Sequence, residues 1–489
     1  MSTTAGTGYE TTIGLEIHVE LSTRSKMFCG CEVSFGVEPN ARTCPVCLGL
    51  PGSLPVVNDK AIDYTVKIAL ALNCDIATHS LFHRKNYFYP DMPKNYQISQ
   101  YDLPLGSGGY LDVSGDFGRT RVGITRVHLE EDTGKSQHVG GSGRIADSEY
   151  SLEDFNRAGT PLVEIVTEPD LRSADEARGF VTELRGLLES LGVSDVRMEQ
   201  GSLRVDANIS VRRAGETEHG TKVEIKNMNS IRSVGRALEY EQERQSAALD
   251  AGESLVQETR HFDEKTGTTS TLRSKEYAFD YRYFPEPDLV PFEPAEGWVE
   301  EIRSTLSELP AARRARFATA YGLGPKDIAV LTTSHATAQW FEDAAQAYGG
   351  DAKKIVNWII ADLFGLLNEA GIELHETRFP PSHLATLVAL VDSGAISGKQ
   401  AKIVLAEMFS TGAEPDAIAT SKGLKQMSDA GAIEAVVDEA IASNEGAAAK
   451  VRAGQLGTIG FLVGQVMKAT KGQANPALVN ELLRQKLVP

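Results

Sequence analysis

Residues 13–21 read Ile-Gly-Leu-Glu-Ile-His-Val-Glu-Leu, and this stretch decides the fold of the first half of the chain. Every second side chain is apolar, which predicts a β-strand with one face against a hydrophobic core, because successive strand side chains point to opposite sides. The other face carries Glu16, His18 and Glu20, spaced by roughly 7 Å along the strand. This face is either the solvated side of a half-buried strand or a divalent-metal site made of carboxylates and an imidazole.

The same alternation recurs later and predicts a sheet. Segments 203–211 and 222–226 also place apolar side chains on one face and charged or amide side chains on the other. This pattern is typical of antiparallel sheets with one face off the core. The polar face is richer in charge than solubility requires, so we interpret the sheet as an open cradle for a charged substrate. Helical patterns over 170–191, with Ser173 as the N-cap, and over 229–251 complete this part.

Beyond Trp298 strand patterns give way to helical spacing. We therefore predict an α+β protein whose main part is a mainly antiparallel-sheet cradle domain, residues 1–293, with a four-cysteine zinc site. An all-helical domain, 294–410, and a small helical tail domain, 411–489, follow it.

The composition is that of an ordinary globular protein. The chain has 489 residues, which predicts two or three domains, and it is 41% hydrophobic and 24% charged. No run approaches the roughly 18 apolar residues of a membrane span, and the N-terminus lacks the basic and apolar regions of a signal peptide. We therefore expect a cytoplasmic protein that does not contact membranes.

The charge is unevenly distributed along the chain. The formal net charge of −18 argues against a protein broadly coated by nucleic acid, but a local basic patch can still bind RNA, because such contacts act within a Debye length of about 10 Å. Between 450 and 489 the only acid is Glu481, and the basic residues are Lys450, Arg452, Lys468, Lys471, Arg484 and Lys486. This tail is either an RNA-facing surface or a helical pair with solvated lysines.

Four of the five cysteines are clustered. Cys29, Cys31, Cys44 and Cys47 form C-x-C and C-x2-C pairs separated by twelve residues. Four thiolates satisfy a closed tetrahedral zinc site, so we favour a structural zinc ion over four reduced thiols or a redox pair. Cys74 stands alone and is predicted to lie in the core.

Several further charged residues are candidates for chemistry. Lys85 and Lys94 lie in an aromatic, proline-rich segment, where they either contact phosphates or carboxylates or are solvated. Three consecutive carboxylates, at 130–132, follow a strand pattern and are either metal or acid/base groups or a solvated turn. Glu164 stands alone among apolar neighbours, which is costly unless it is paired or binds a metal.

The absence of several common motifs limits the kinds of reaction that this sequence indicates. Gly-Lys-Ser at 134–136 is not a phosphate-binding loop, because Leu129 stands where that motif requires glycine. No dinucleotide fingerprint or nucleophile elbow is present. An enzyme with this equipment would use carboxylates and a divalent metal, most naturally for nucleotide-dependent activation of a carboxylate or for phosphoryl transfer.

Six long motifs resemble the B subunit of the glutamyl/aspartyl-tRNA amidotransferases, and the similarity runs over the full length. They are Gly-Leu-Glu-Ile-His-Val-Glu-Leu at 14–21, Arg-Lys-Asn-Tyr-Phe-Tyr-Pro-Asp at 84–91, His-Leu-Glu-Glu-Asp-Thr-Gly-Lys at 128–135, Asn-Arg-Ala-Gly-Thr-Pro-Leu-Val-Glu-Ile-Val at 156–166, Gly-Ser-Leu-Arg-Val-Asp-Ala-Asn-Ile-Ser at 201–210 and Tyr-Arg-Tyr-Phe-Pro-Glu-Pro-Asp at 281–288.

The resemblance implies a heterotrimer in which the partners are an amidase, the A subunit, together with a small C subunit. ATP, as a substrate, would phosphorylate the side-chain carboxylate of Glu-tRNA(Gln) or Asp-tRNA(Asn), and ammonia from the amidase would then displace the phosphate. A non-catalytic tRNA-binding scaffold is the alternative. The helical and tail domains would hold the tRNA body.

The resemblance also implies roles for particular residues. Lys85 and Lys94 would lie along the ammonia route, zinc would be an accessory of the fold, and Glu20 inherits no role. The family's catalytic and Mg2+ positions match Glu16, His18, Glu131 and Glu164.

Overall fold

The computed structural model describes residues 8–140, 148–274, 281–425, 430–470 and 474–488. The chain divides into two compact units, Met1–Pro310 and Ala311–Pro489. The first contains the strands of the described residues and the second is built from helices, so a mixed α+β fold is confirmed.

The strands are, in chain order, β1 (Tyr9–Glu20), β2 (Asp75–Ile76), β3 (His83–Asn86), β4 (Tyr96–Ser99), β5 (Gly106–Gly115), β6 (Gly118–Glu131), β7 (Lys135–Val139), β8 (Tyr150–Asp154), β9 (Pro161–Thr167), β10 (Leu203–Arg213), β11 (Val223–Met228), β12 (Glu258–Asp263), β13 (Thr268–Ser274) and β14 (Phe284–Pro285).

In the part of the chain that the structure describes, nine strands form one large sheet in the order β13-β12-β11-β10-β1-β9-β6-β5-β2. Its neighbours are antiparallel except for β11 and β12. The stretch that opens the sequence, β1, lies at the centre and pairs with β10 and β9. Two smaller sheets, β14-β3-β4 and β7-β8, belong to the same unit.

Helices of the first unit cover the apolar face of this sheet. They are α1 (Asp59–Ala71), α2 (Ala174–Leu191), α3 (Ile231–Asp250) and α4 (Trp298–Ser304). The apolar side chains of β1 share one buried cluster with those of α1, α2 and α3. Burial of each large aliphatic side chain contributes about 1.5–3 kcal/mol, so this alternation fixes which face of β1 points inward.

The helix start predicted at Ser173 is confirmed. The Ser173 hydroxyl accepts a hydrogen bond of 3.2 Å from the backbone N–H of Glu176, and α2 begins at the next residue. Gly192 ends α2 in the left-handed conformation at φ 65°, which glycine adopts without strain.

The second unit is helical throughout its described residues, apart from connecting segments. Its helices are α5 (Pro310–Ala320), α6 (Pro325–Leu331), α7 (His335–Tyr348), α8 (Ala352–Trp358), α9 (Phe364–Ala370), α10 (Pro381–Asp392), α11 (Gly398–Thr411), α12 (Pro415–Ser421), α13 (Ala430–Ser443), α14 (Glu445–Arg452), α15 (Ile459–Ala469) and α16 (Pro476–Leu487). None of the helices in the described ranges is long and apolar enough to cross a membrane.

The domain limits at 293 and 410 stay predictions, and the packing of the structure gives two compact units. Trp298 and Ile302 of α4 pack on the core of the first unit, which ends at Pro310. The second unit has two hydrophobic clusters, and the first of them includes Ile418 of α12, beyond the expected limit at 410. The end of the first unit and the extent of this cluster are both set by side-chain packing between segments that are distant in sequence.

Candidate metal centre and its surroundings

Three side chains on adjacent strands form a possible metal site on the polar face of the large sheet. His18 of β1, Glu130 of β6 and Glu164 of β9 each place one ligand atom within 4.8 Å of the others. The strand register explains this arrangement, because Glu164 lies directly opposite His18 on one side and His128 on the other. Glu130 follows His128 by two residues and therefore shares its face.

Glu164 lies between two imidazoles. Its Oε2 atom is 3.4 Å from Nε2 of His18 and 3.5 Å from Nε2 of His128. Nε2 of His128 is also 3.7 Å from Oε2 of Glu130, which accepts a hydrogen bond of 3.0 Å from the Ser99 hydroxyl. The two carboxylates are thus held on the same side of the sheet by neighbouring donors.

The electrostatics keep both carboxylates charged. Burial alone would raise the pKa of Glu164, but His128 and His18 hold it well below its usual range. Burial likewise opposes the charge of Glu130, while His128 and Lys85 lower its pKa overall. The pKa of His18 is raised, because Glu164 outweighs the effect of burial. Two buried carboxylates without a cation repel each other, so this arrangement fits a bound divalent ion.

The donor set suits a hard divalent cation. Two carboxylate oxygens and one imidazole nitrogen leave room for water or substrate oxygens in the remaining positions. His128 contacts both carboxylates and Ser99 donates to Glu130, and both restrict the orientation of these carboxylates, as partners of metal ligands commonly do.

The structure places the expected metal ligands in different surroundings. His18 and Glu164 come together. Glu16 shares their face but lies outside the group, and its Oε1 accepts a hydrogen bond of 2.9 Å from Asn208 Nδ2. Glu131 points to the opposite face of β6, where it pairs with Lys94 and accepts the Ile98 N–H at 3.0 Å. Among the described residues the position expected for Glu131 is taken by Glu130.

Sequence reasoning thus missed His128, and it named Glu130 only as one of three consecutive candidate carboxylates, without choosing it over Glu131. A signal was available, because the strand period places His128 and Glu130 on one face and Glu131 on the other. The period does not say which face meets β1, since that depends on the pairing of β6 with β9.

The two lysines predicted as candidates, Lys85 and Lys94, lie in different surroundings. Lys85 of β3 has its Nζ 5.1 Å from the ring centre of Tyr281. Burial would lower its pKa, but Glu130 and Glu164 raise it, so Lys85 presents a permanent positive charge to the metal centre. Lys94 forms its ion pair with Glu131, and both side chains are more than nine-tenths buried.

A cavity of about 220 Å³ lies beside the Lys94–Glu131 pair. Lys26, Cys29, Cys47, Arg84 and Tyr96 are among its other lining residues. The cavity therefore connects the buried ion pair with the cysteine group.

The four clustered cysteines meet as predicted. Their sulfur atoms lie within 4.8 Å of one another, and Sγ of Cys44 and Sγ of Cys47 are 3.9 Å apart. Two thiolates at a tetrahedral zinc ion, with bonds of about 2.3 Å, would be separated by roughly 3.8 Å. All five cysteines are free thiols, and Cys74 is buried as predicted. The group therefore fits a metal ion.

The surroundings of Cys47 favour the thiolate form of its side chain. A hydrogen bond from the Cys29 thiol, the Cys44 backbone N–H at 3.1 Å and the ammonium of Lys26 together lower the pKa of Cys47 to about 4, against the effect of burial. Lys26 is fully buried, with its Nζ 3.7 Å from Cys47 Sγ and 3.1 Å from the Phe155 carbonyl oxygen. A metal-thiolate centre carries the negative charge that this lysine needs.

Glu20 lies at the end of the polar face, next to a different cluster. Asp132 is held by Arg204, with Nη2 and Oδ2 2.6 Å apart, and by Arg157. Burial and the nearby Asp132 raise the pKa of Glu20 to about 8. Among the described residues Glu20 belongs to neither cysteine nor metal group.

The predicted basic tail is partly neutralised. Lys486 pairs with Glu434 and Asp438 at 2.7 and 2.8 Å, and Arg452 pairs with Glu445 at 2.6 Å. Lys450, Lys468 and Arg484 lie near the carboxyl ends of α14, α15 and α16. Lys471 lies outside the described residues.

Two family models match this chain. Residues 11–300 match the GatB/GatE catalytic domain, and residues 339–487 match the GatB domain. Relatives from Carboxydothermus hydrogenoformans and Moorella thermoacetica are each 53% identical over 479 residues, and one from Persephonella marina is 51% identical. These alignments cover 98% of this chain and 99%, 100% and 99% of the three relatives. All three are named as the B subunit of aspartyl/glutamyl-tRNA(Asn/Gln) amidotransferase. The chain belongs to this B-subunit family.

The family match locates the centre within the molecule. The range of the catalytic-domain model includes His18, Glu130 and Glu164, together with the cysteine group and the 220 Å³ cavity. The range of the second model includes the basic tail.

Proposed function

We propose that this chain is the B subunit of a glutamine-dependent tRNA amidotransferase and carries its ATP-dependent step. The substrate is Glu-tRNA(Gln), Asp-tRNA(Asn) or both. An oxygen of the side-chain carboxylate attacks the γ-phosphorus of ATP and ADP leaves. Ammonia then forms a bond to the acyl carbon as phosphate leaves, which gives Gln-tRNA(Gln) or Asn-tRNA(Asn).

The observation that carries this proposal is the group formed by His18, Glu130 and Glu164 on the polar face of the sheet. The three residues would hold Mg2+, which supplies positive charge to the transferring phosphoryl group. Lys85 faces the same carboxylates and keeps its proton, so its ammonium can bind phosphate oxygens beside them. Glu16, on the same face, would orient water or nucleotide through its carboxylate.

Lys94 and Glu131 have a different proposed role. Their buried ion pair borders the 220 Å³ cavity on the opposite face from Glu130, and a polar cavity of this kind suits the passage of ammonia. We therefore assign Glu131 with Lys94 to the ammonia route and not to the metal.

The remaining parts serve assembly and tRNA binding. The cysteine group would hold a structural zinc ion, because all four sulfurs converge and no ligand position remains for a substrate. The amidase partner would supply ammonia, and the small C subunit would brace the complex. Lys450, Lys468 and Arg484 would contact the tRNA body.

The alternative is a non-catalytic scaffold that only presents tRNA to the amidase. To separate the two, His18→Ala and Glu130→Gln are made in the complex with its partner subunits. We expect ATP cleavage that depends on Glu-tRNA to fall by about 100-fold or more, because a metal ligand is lost, while tRNA binding is kept.

Glu10→Gln is the matched control, since Glu10 is an exposed carboxylate of the same strand paired with Arg212. It should cleave ATP like the wild type. Unchanged ATP cleavage in both variants of the centre would favour the scaffold.

A further inference from the structure

Aromatic side chains that the proposed chemistry does not use stand beside the metal centre. Tyr101 and Tyr283 stack in parallel, with ring centres 4.3 Å apart and planes 10° from parallel, and Tyr281 meets Tyr283 edge-on at 6.1 Å. Tyr101 is 48% exposed, and Tyr281 and Tyr283 are half-buried. We call these three rings the aromatic wall. A stacked group of rings that is open to solvent at Tyr101 indicates a binding surface.

The backbone that carries the aromatic wall is held by hydrogen bonds. Arg282, which stands between Tyr281 and Tyr283 in the chain, has a φ of +48°, a backbone conformation that costs a non-glycine residue about 1 kcal/mol or more. The side chain of Asn86 holds this turn, because its Nδ2 donates to the carbonyl oxygens of Tyr281 and Arg282, both at 2.9 Å. The turn leaves the Arg282 side chain exposed.

The aromatic wall is continuous with the metal centre. Asn86, which holds the turn, is the neighbour of Lys85 on β3, and Nζ of Lys85 lies 5.1 Å from the Tyr281 ring centre. The same ammonium faces Glu130 and Glu164. A molecule lying on the rings can therefore extend past Lys85 to the carboxylates.

We propose that the aromatic wall stacks unpaired bases at the 3′ end of the aminoacylated tRNA, with Arg282 on a backbone phosphate. Stacking on aromatic rings and contacts from arginine are the usual means of binding single-stranded RNA. This inference rests on the proposed function and assigns the positioning residues that bring the aminoacyl group to the metal centre.

A polynucleotide end fits this surface better than the base of ATP. A mononucleotide has one base, which covers one ring face. Here three rings follow one another, one of them is nearly half exposed, and the exposed Arg282 stands between two of them in the chain. Successive bases joined by phosphates match that succession of rings and charge.

The test uses the complex with its partner subunits and measures kcat and KM for aminoacylated tRNA and for ATP, together with glutamine hydrolysis. The variants are Tyr101→Leu and Tyr283→Leu, each with its Phe counterpart, and Arg282→Gly. Arg282→Gly removes the charge and relieves the positive φ, so it does not strain the fold. Tyr150→Leu is the matched control, since Tyr150 is an exposed tyrosine of β8 outside the aromatic wall.

We expect the two Leu variants to raise KM for aminoacylated tRNA about tenfold, with kcat and KM for ATP nearly unchanged. The Phe variants should behave like the wild type, because the ring is kept, and Arg282→Gly should raise KM and weaken its salt dependence. Tyr150→Leu should have no effect.

Three results would overturn the inference. If the Leu variants raised only the KM for ATP, the rings would be a site for the adenine base. If they lost only glutamine hydrolysis, the rings would be a contact with a partner subunit. If the kinetics were unchanged, the rings would have no role in binding. Each differs from failure of the proposed function, which would appear as a wild-type complex without ATP cleavage that depends on aminoacylated tRNA.

Discussion

Glu130 and Glu131 are neighbours in the chain and lie on opposite faces of β6. Glu130 joins His18 and Glu164, whereas Glu131 is paired with Lys94 in a separate buried environment. The two positions therefore differ in what a neutral side chain would do. At Glu130 it removes the repulsion with Glu164 together with the opposing attraction to His128 and Lys85, and at Glu131 it leaves a buried lysine without its partner charge.

We predict that Glu131→Gln lowers the free energy of unfolding by about 3 kcal/mol, while Glu130→Gln changes it by less than about 1 kcal/mol. Calorimetric unfolding of both variants beside the wild type measures the difference. In the complex, Glu131→Gln should keep ATP cleavage and lose amidation with glutamine. Equal destabilisation by the two variants would contradict this assignment.

At the scale of elements, a buried carboxylate joins α3 to the edge strands. Glu241 of α3 is fully buried, accepts two hydrogen bonds of 2.9 Å from Arg244, and lies 3.0 Å from Arg260 of β12. Burial opposes its charge, but the hydrogen bonds from Arg244, Thr269 and Gln245 lower its pKa overall.

We predict that Glu241→Ala lowers the free energy of unfolding by about 3–5 kcal/mol, because two arginines lose their buried partner. Glu239→Ala, on the exposed side of the same helix, should cost at most about 1 kcal/mol. Because the folded pKa of Glu241 is lowered, its contribution is present above about pH 4.3 and is lost as the pH falls further. Unfolding of the two variants at pH 7 and at pH 4 tests both points.

We predict that the cysteine loop depends on its proposed ion for stability. We expect about one zinc per chain by metal analysis, and a lower melting temperature after chelation, since metal binding contributes directly to folding. Cys47→Ser should reduce both zinc content and melting temperature, whereas Cys74→Ala should keep the zinc. Absence of zinc from the purified protein would refute the site.

At the scale of the whole molecule, the catalytic-domain match and the basic tail belong to different units. The net charge of −18 makes local cationic surfaces decisive for tRNA binding. In the tail, Lys486 is already paired with Glu434 and Asp438, so it has less charge to offer than Lys450, Lys468 or Arg484.

We predict that changing Lys450, Lys468 and Arg484 together to glutamine weakens tRNA binding and lowers the slope of log affinity against log salt by about 2–3. Lys486→Gln should change that slope by much less. Binding measured at several salt concentrations tests this, and a slope unchanged in the triple variant would remove the tail from the tRNA interface.

The sequence by itself determined the features that depend on neighbours along the chain. The alternation in 13–21 predicted both faces of β1, Ser173 predicted the start of α2, and the spacing of the cysteines predicted one cluster. Each follows from a local period or a short loop, so each can be predicted without knowing what lies across the sheet.

Only the tertiary structure decided which side chains meet. The metal centre depends on the register of β6 and β9, which places Glu164 opposite both histidines and turns Glu131 away. The aromatic wall depends on Asn86 holding a turn almost two hundred residues later in the chain. Hydrogen bonds between distant segments set these contacts, and a sequence pattern with a local period does not contain them.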